Sequence, residues 1–453
     1  MKPLAISRRV FSLLLAIAFV FGPSQANSQQ PKQTPQPPPP LQLTLQQAVQ
    51  IALKQNPSVQ IPVLNLAESH NESGIAFSQL LPEASFNVSD RAVRSNVQAN
   101  IGLSVPGFPK AVGPFQVFQT GADFSAPIFD LSLWRKWQAA HKNIASADAQ
   151  RLSVREQIIL LVVSQYLGAL RFGAEVSAAQ SQVDLAQALY DQASDMEKHG
   201  VATSVDVLRA NVELQNEKQA LLVAQTNQKI ALFGLAKLLN TPPQQQITLS
   251  DQVSFFATPE VNMDQSLADA YKSRPEMQQL LARQQSLKYQ KSADRDSRLP
   301  ALRFDGDYEQ EGLSTSTIIP TYVYEAGITF PIFTGGRIHN EIARDQLELQ
   351  EINESLKDER NEIALEVETA AAQLESARNQ VQVANLGDQL AQEEVRQSQD
   401  RFKAGVVDNI EVVTAQSALA RADENRISAL YEYNQARADL AHAIGRIEML
   451  YNK

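Results

Sequence analysis

The stretch FKAGVVDNIEVVTAQSAL (402–419) and its near-copy EKHGVATSVDVLRANVEL (197–214) decide the fold. In each, a glycine, Gly405 or Gly200, interrupts a long tract of helix-forming sequence. Glycine tolerates positive φ at a helix end, so each stretch reads as a turn where an outgoing helix reverses into a returning one. Upstream of the second turn, Arg337 to Lys403 holds no Pro and only Gly387. Ile342, Leu349, Ile352, Leu356, Ile363, Val367 and their successors as far as Phe402 recur at steps of three, four or seven, which is a coiled-coil seam. A helix of that length spans roughly 100 Å. The first half matches it from about Leu131 to His199. Helices this long do not fit a compact globular domain and require a rod, hairpin or tube.

Moving outward from the turns, the chain is written twice. LTLQQAVQIALKQNPSVQ (43–60) aligns with VNMDQSLADAYKSRPEMQ (261–278), and LPEASF (81–86) with LPALRF (299–304), both at an offset of 218. SAPIF (125–129) aligns with TFPIF (329–333) at 204, and the two turns align at 205. The first half therefore holds 14 extra residues between 86 and 125. Two copies are a duplicated unit, not a solenoid. Each unit predicts a short helix, a Pro (Pro57, Pro275) opening a second helix of about 20 residues, two strands, and the long helical hairpin. The expected divisions are 42–245 for the first repeat, a linker at 246–261, and 262–450 for the second.

The strand segments alternate with a period of two. Tyr322, Tyr324, Ala326, Ile328, Phe330 and Ile332 share one face of 322–332. Leu302, Phe304 and Tyr308 oppose Arg303, Asp305, Asp307 and Glu309, and 118–128 behaves similarly. One apolar and one polar face fit either a soluble sheet or a membrane barrel. Four strands cannot close a barrel and would leave bare edges, which several chains together would remove. Trp134 and Trp137 follow the second strand, either at a membrane–water boundary or simply on one face of a helix.

The amino terminus reads as an export signal: Lys2, Arg8 and Arg9, the apolar run Val10–Phe21, and Ser24-Gln25-Ala26 as a cleavage site. SRRVF (7–11) also fits a twin-arginine signal. Removing residues 1–26 takes the formal charge from −10 to −13, and no basic stripe points to a nucleic-acid partner. Residues 31–40 hold six Pro, so 27–41 is expected to be an extended tether. With no Cys there is no disulfide and no site for a lipid anchor. The five His are scattered, and no nucleophile elbow, P-loop or dinucleotide turn occurs, so no enzyme activity or cofactor is expected.

Together, LTLQQAVQIALKQNP, PIF in one half, PIFTGGR in the other and the paired Gly-Val turns resemble the TolC-type outer membrane efflux proteins across essentially all of 41–450. The resemblance implies a mainly α chain with a transmembrane β part. It implies a homotrimer whose twelve strands form one barrel in outer-membrane lipid, continued by a long α-helical barrel in the periplasm. It also implies docking onto a periplasmic adaptor served by an inner-membrane pump, with passive conduction of delivered substrate. A periplasmic adaptor is the main alternative, but it would carry one hairpin, not two. A structural coiled coil would not need aromatic strand pairs.

The resemblance also implies roles for residues. The turns at Gly200, Val201 and Thr203, and at Gly405, Val406 and Asp408, would be adaptor-docking tips, although hairpin chemistry alone explains a Gly there. Glu411 matches an acid lining the closed periplasmic aperture, and Thr414 stands where a second acid often lies. Glu411 also suits a helix N-terminus electrostatically. Asp206 is the corresponding acid of the first tip, expected as a bland helix acid or a tether. Asp305, Asp307, Glu309 and Glu325 would face the lumen if the aromatic face meets lipid; a solvated sheet face predicts the same polarity.

Overall fold

A computed structural model describes residues 41–103, 106, 107, 109–242, 245–251, 255, 261–404, 406, 407 and 409–452. The export signal, most of the Pro-rich tether, Gly405 and Asp408 lie outside the described residues.

The duplication is explicit. The first unit runs β1 (Leu41–Leu43), α1 (Leu45–Gln55), α2 (Pro57–Ser78), β2 (Glu83–Asn96), α3 (Val97–Ile101), β3 (Ala111–Phe129), α4 (Leu131–Lys198) and α5 (Ser204–Leu238). The second runs β4 (Ile247–Leu249), α6 (Met263–Ser273), α7 (Pro275–Asp296), β5 (Ala301–Gly312), β6 (Ile319–Thr329), α8 (Arg337–Lys403), α9 (Asn409–Ala443) and α10 (Ile447–Tyr451). Corresponding helices have 11, 22, 68 and 35 residues in the first unit and 11, 22, 67 and 35 in the second. The extra residues of the first unit lengthen the β2–β3 hairpin and add α3. Within 246–261, expected as a linker, β4 pairs in parallel with β1 and ties the start of one unit to the start of the other.

Local chemistry sets the helix starts. Thr44 and Gln47 form a capping box at α1. Pro57 and Pro275 occupy the first helical turn, where a missing N–H costs nothing. The seam read along α8 is buried: Ile363 and Val367 are inaccessible to solvent, and Leu374, Val381, Val395 and Phe402 nearly so. The main core gathers α1, α4, α5, α10, β1 and β4 around Ile159, Val162, Val163 and Tyr166. Helix α4 is the one described helix apolar enough over 18 residues to cross a membrane. Its apolar stretch is spent on this core instead.

The four long strands form one antiparallel sheet in the order β2-β3-β5-β6. The polar and apolar faces run unbroken across it, because away from the bulges at Val93/Ser95 and Pro127/Phe129 every pairing joins odd-numbered to odd-numbered or even-numbered to even-numbered residues. The strand expected over 322–332 stops at Thr329. Pro331 has no N–H to continue a ladder, and Phe330, Ile332 and Phe333 lie exposed beyond it.

Tyr166 is a direct test of the core. Its buried hydroxyl donates to Leu43 O at 2.9 Å and Asp251 Oδ2 at 3.0 Å, joining α4 to β1 and to the segment after β4. Leu43 O and Asp251 Oδ2 keep backbone donors in Ser250 N and Leu45 N, so Tyr166→Phe removes only the hydroxyl's own bonds and should destabilise the unit by about 0.5–1.5 kcal/mol in denaturant unfolding.

Candidate functional site

The sheet's polar face places the expected acids together. Asp305 lies opposite Glu325, and Asp307 opposite Asp123. Asp307 Oδ2 accepts from Val323 N at 3.2 Å. Glu309 accepts from Gln119, and Asp123 from Asn87 and Ser85. Arg303 stands 3.8 Å from Asp305. Acids facing acids across a ladder repel, so this face has strongly negative potential. On the other face, Phe86, Val88, Tyr308, Tyr322, Tyr324 and Ile328 are exposed, and Phe304 stacks on Tyr324 and meets Phe124 edge-on. At the sheet's base the two Trp rings pack against each other, 4.9 Å between centroids, and Trp137 also contacts Phe77 and His141. Trp134 is the more exposed of the two.

At the opposite end of the hairpins the two tips close in the same way. Val201 N donates to Met196 O at 2.9 Å and Val406 N to Arg401 O at 3.0 Å, each tying the turn back to the end of its outgoing helix. Gly200 has φ +73°, the left-handed conformation its turn needs. Both valine side chains project into solvent. Thr203 caps α5, and Asp206 completes a capping box with it: Thr203 N and Oγ1 donate to Asp206 Oδ2 at 3.0 and 2.6 Å. The Thr203 hydroxyl holds the Asp206 carboxyl below the usual carboxylate range. Both residues are thus occupied in shaping the tip.

Glu411 lies in the first turn of α9 and accepts from Arg401 Nη1 at 2.5 Å, which links the last turn of α8 to the first of α9. Arg401 escaped the sequence reading, because no helical periodicity relates residues on opposite sides of a turn. Thr414 donates to Ile410 O at 2.8 Å within its own helix. Leu189, Phe402 and Val412 pack together just behind the tips and join the two hairpins.

A buried ionic cluster between these regions also escaped that reading. Arg274 is almost fully buried where α6 meets α7; it donates to Glu276 at 3.0 Å, Glu366 at 2.5 Å and, more weakly, Ala443 O at 3.4 Å. Its counterpart in the first unit is Asn56, which caps α2 and donates to Leu238 O at 2.9 Å. Both side chains therefore reach the last residue of their unit's returning helix, and aligning the repeats points to the pair. Glu156 sits close by on α4. Burial first, and then the Glu276 charge, push its carboxyl up to about 7. Among the described residues no group of three or more His, Cys, Asp or Glu could hold a metal ion.

Glu156 yields a prediction with a definite sign. Its folded pKa of about 7 lies above its ordinary 4.5, so the folded state retains a proton that the unfolded state loses. Stability should therefore fall as pH rises from 4.5 to about 7. Glu156→Gln should flatten that fall in thermal unfolding measured across the interval.

The sequence profile of the outer membrane efflux protein family matches residues 48–241 and 267–446. No curated protein sequence matches the chain. The fold is that of solved outer membrane channels. The Campylobacter jejuni CmeC outer membrane channel superposes with a TM-score of 0.78 at 18% identity, covering 89% of this chain and 86% of that one. The Neisseria gonorrhoeae MtrE outer membrane channel, solved in its open state, gives 0.74 at 20%, covering 89% of each chain. The outer membrane protein VceC of Vibrio cholerae gives 0.76 at 14%, covering 88% of this chain and 96% of that one.

Proposed function

Because the chain belongs to the outer membrane efflux protein family, we propose that it is the outer-membrane exit duct of a tripartite efflux or type I secretion system. Three copies close one twelve-stranded barrel and continue it as a helical tunnel. The carrying observation is the sheet. Its four strands have an exposed aromatic face, an acidic face and two bare edges, β2 and β6, and hydrocarbon tolerates no unpaired strand edge. Lipid on the aromatic side places Asp305, Asp307, Glu309 and Glu325 in the lumen and Trp134 and Trp137 near its periplasmic rim. The paired 68- and 67-residue helices are long enough, at about 1.5 Å per residue, to carry the duct roughly 100 Å into the periplasm. Conduction is passive, and energy comes from an inner-membrane pump.

The tips take the adaptor. Val201 and Val406 offer exposed apolar side chains at matching places, with Gly200 and Thr203 shaping the first turn; Gly405 and Asp408 are the docking candidates of the second. In the trimer Glu411 lines the closed aperture, where Arg401 offsets part of its charge. Residues 1–26 act as the export signal and 27–40 as a tether to the first repeat, which begins with β1 at Leu41.

Outer-membrane fractions should contain a trimer that survives SDS unheated and falls to monomer on boiling. Recovery as a soluble periplasmic monomer would overturn the reading. In planar bilayers, neutralising the lumen with Asp305→Asn and Asp307→Asn should lower the cation-to-anion permeability ratio. Glu411→Ala should raise conductance of the closed form and weaken block by trivalent cations; unchanged conductance and block would remove Glu411 from the aperture.

A further inference from the structure

Between the two helical hairpins runs a groove of about 770 Å³ for which conduction has no evident use. Ala169, Gly173, Ala174 and Ser177, on successive turns of α4, line it with little side-chain bulk. Leu232 of α5 and Leu430 and Tyr431 of α9 add apolar and aromatic surface, and β4 contributes Ile247, Thr248 and Leu249.

Further along α4 the groove changes character. Ala178, Asp423 and Ile427 line it and also line a second cavity of about 580 Å³, shared with Glu175, Gln182, Glu217 and Glu424. Arg171 pairs with Glu175, and Arg426 with Asp423. Among the described residues, Glu217 and Glu424 form no ion pair. Burial holds the Glu175 and Glu217 carboxyls above the usual range. The far end of the groove is therefore short of positive charge.

The amino-terminal segment reaches the near end. Leu41 lies opposite Ile247, and its N–H donates to Gln246 O at 2.8 Å, so the chain enters β1 beside the groove. Residues 27–40 hold six Pro, four of them in a row at 37–40, and one charged side chain, Lys32. Proline has no N–H to leave unpaired against an apolar surface. A polyproline helix is already extended, so docking it in an aromatic-lined groove costs little entropy. The lengths agree. Lys32 lies nine residues before Leu41, about 28 Å as polyproline. Ala169 to Gln182 is thirteen residues of α4, about 20 Å.

We propose that residues 31–40 lie in this groove as a polyproline strap, with the prolines against α4 and Tyr431 and with Lys32 at Glu217 and Glu424. The strap joins the first hairpin to the returning helix of the second.

The chain has no Cys, so paired cysteines in the full-length exported protein report where the segment lies. Gln33→Cys with Gln182→Cys should oxidise within one chain, read by intact mass as loss of both alkylatable thiols. Gln60→Cys, on α2, is the control partner for Gln33→Cys. It should be trapped about tenfold more slowly, because docking raises the local concentration only at the groove. Equal rates, or a faster control, overturn the docking. A covalent dimer also overturns it, by placing the segment on another copy. Trypsin cleavage after Lys32 is a second measure. Glu424 is exposed, so Glu424→Lys spares the fold. It should repel Lys32 and speed that cleavage about tenfold by populating the open form. Tyr431→Ala should act in the same direction. Unchanged cleavage in both variants overturns the strap.

Discussion

Among the described residues, the four-stranded antiparallel sheet gives β2 and β6 a neighbouring strand on one side only. In water such an edge is a liability; in hydrocarbon each unpaired group costs several kcal/mol and cannot persist. In the proposed duct the exposed aromatic face meets lipid, and the edges pair with those of other copies. In that proposal closure of the sheet sets the rest: the polar face becomes a lumen, and the helices beneath the strands are arranged as a ring. In the same proposal the hairpin tips of the three copies converge on one axis.

The duplication makes that closure economical. One unit supplies a strand hairpin and a helix hairpin, and the second repeats them in the same register. The copies have diverged where their surroundings differ. Ala293 and Ala438 are fully buried within the chain, whereas Ile75 and Phe233 are exposed. Asn56 makes a neutral cap at one junction, while Arg274 at the other gathers two carboxylates and raises the stakes for the nearby Glu156. At the tips, Thr203 and Asp206 shape the first turn, and the Arg401–Glu411 pair spans the second.

Much of the fold was legible in the sequence because its signals are periodic or punctuated. The α8 seam, the Pro-opened helices, the alternating strands and the repeat offsets all correspond to observed elements. Strand β6 ended early because Pro331 stops the ladder, which alternation alone does not register. The parallel β1–β4 pair was not legible, since three-residue strands have too few positions to show a period. Contacts between distant elements were hidden for the same reason: the partner of Glu411 lies across a turn, and those of Arg274 and Tyr166 lie in other helices and strands. Trp137 shows a related limit, because its type fits a membrane boundary while its packing against Phe77 and His141 depends on α2.

The central claim is that β2 and β6 are not edges in the working protein. Amide hydrogen exchange of the membrane-embedded protein measures this strand by strand. The outward-facing amides of β2 and β6 should be protected as strongly as those of β3 and β5. Fast exchange confined to β2 and β6, with β3 and β5 protected, would contradict it.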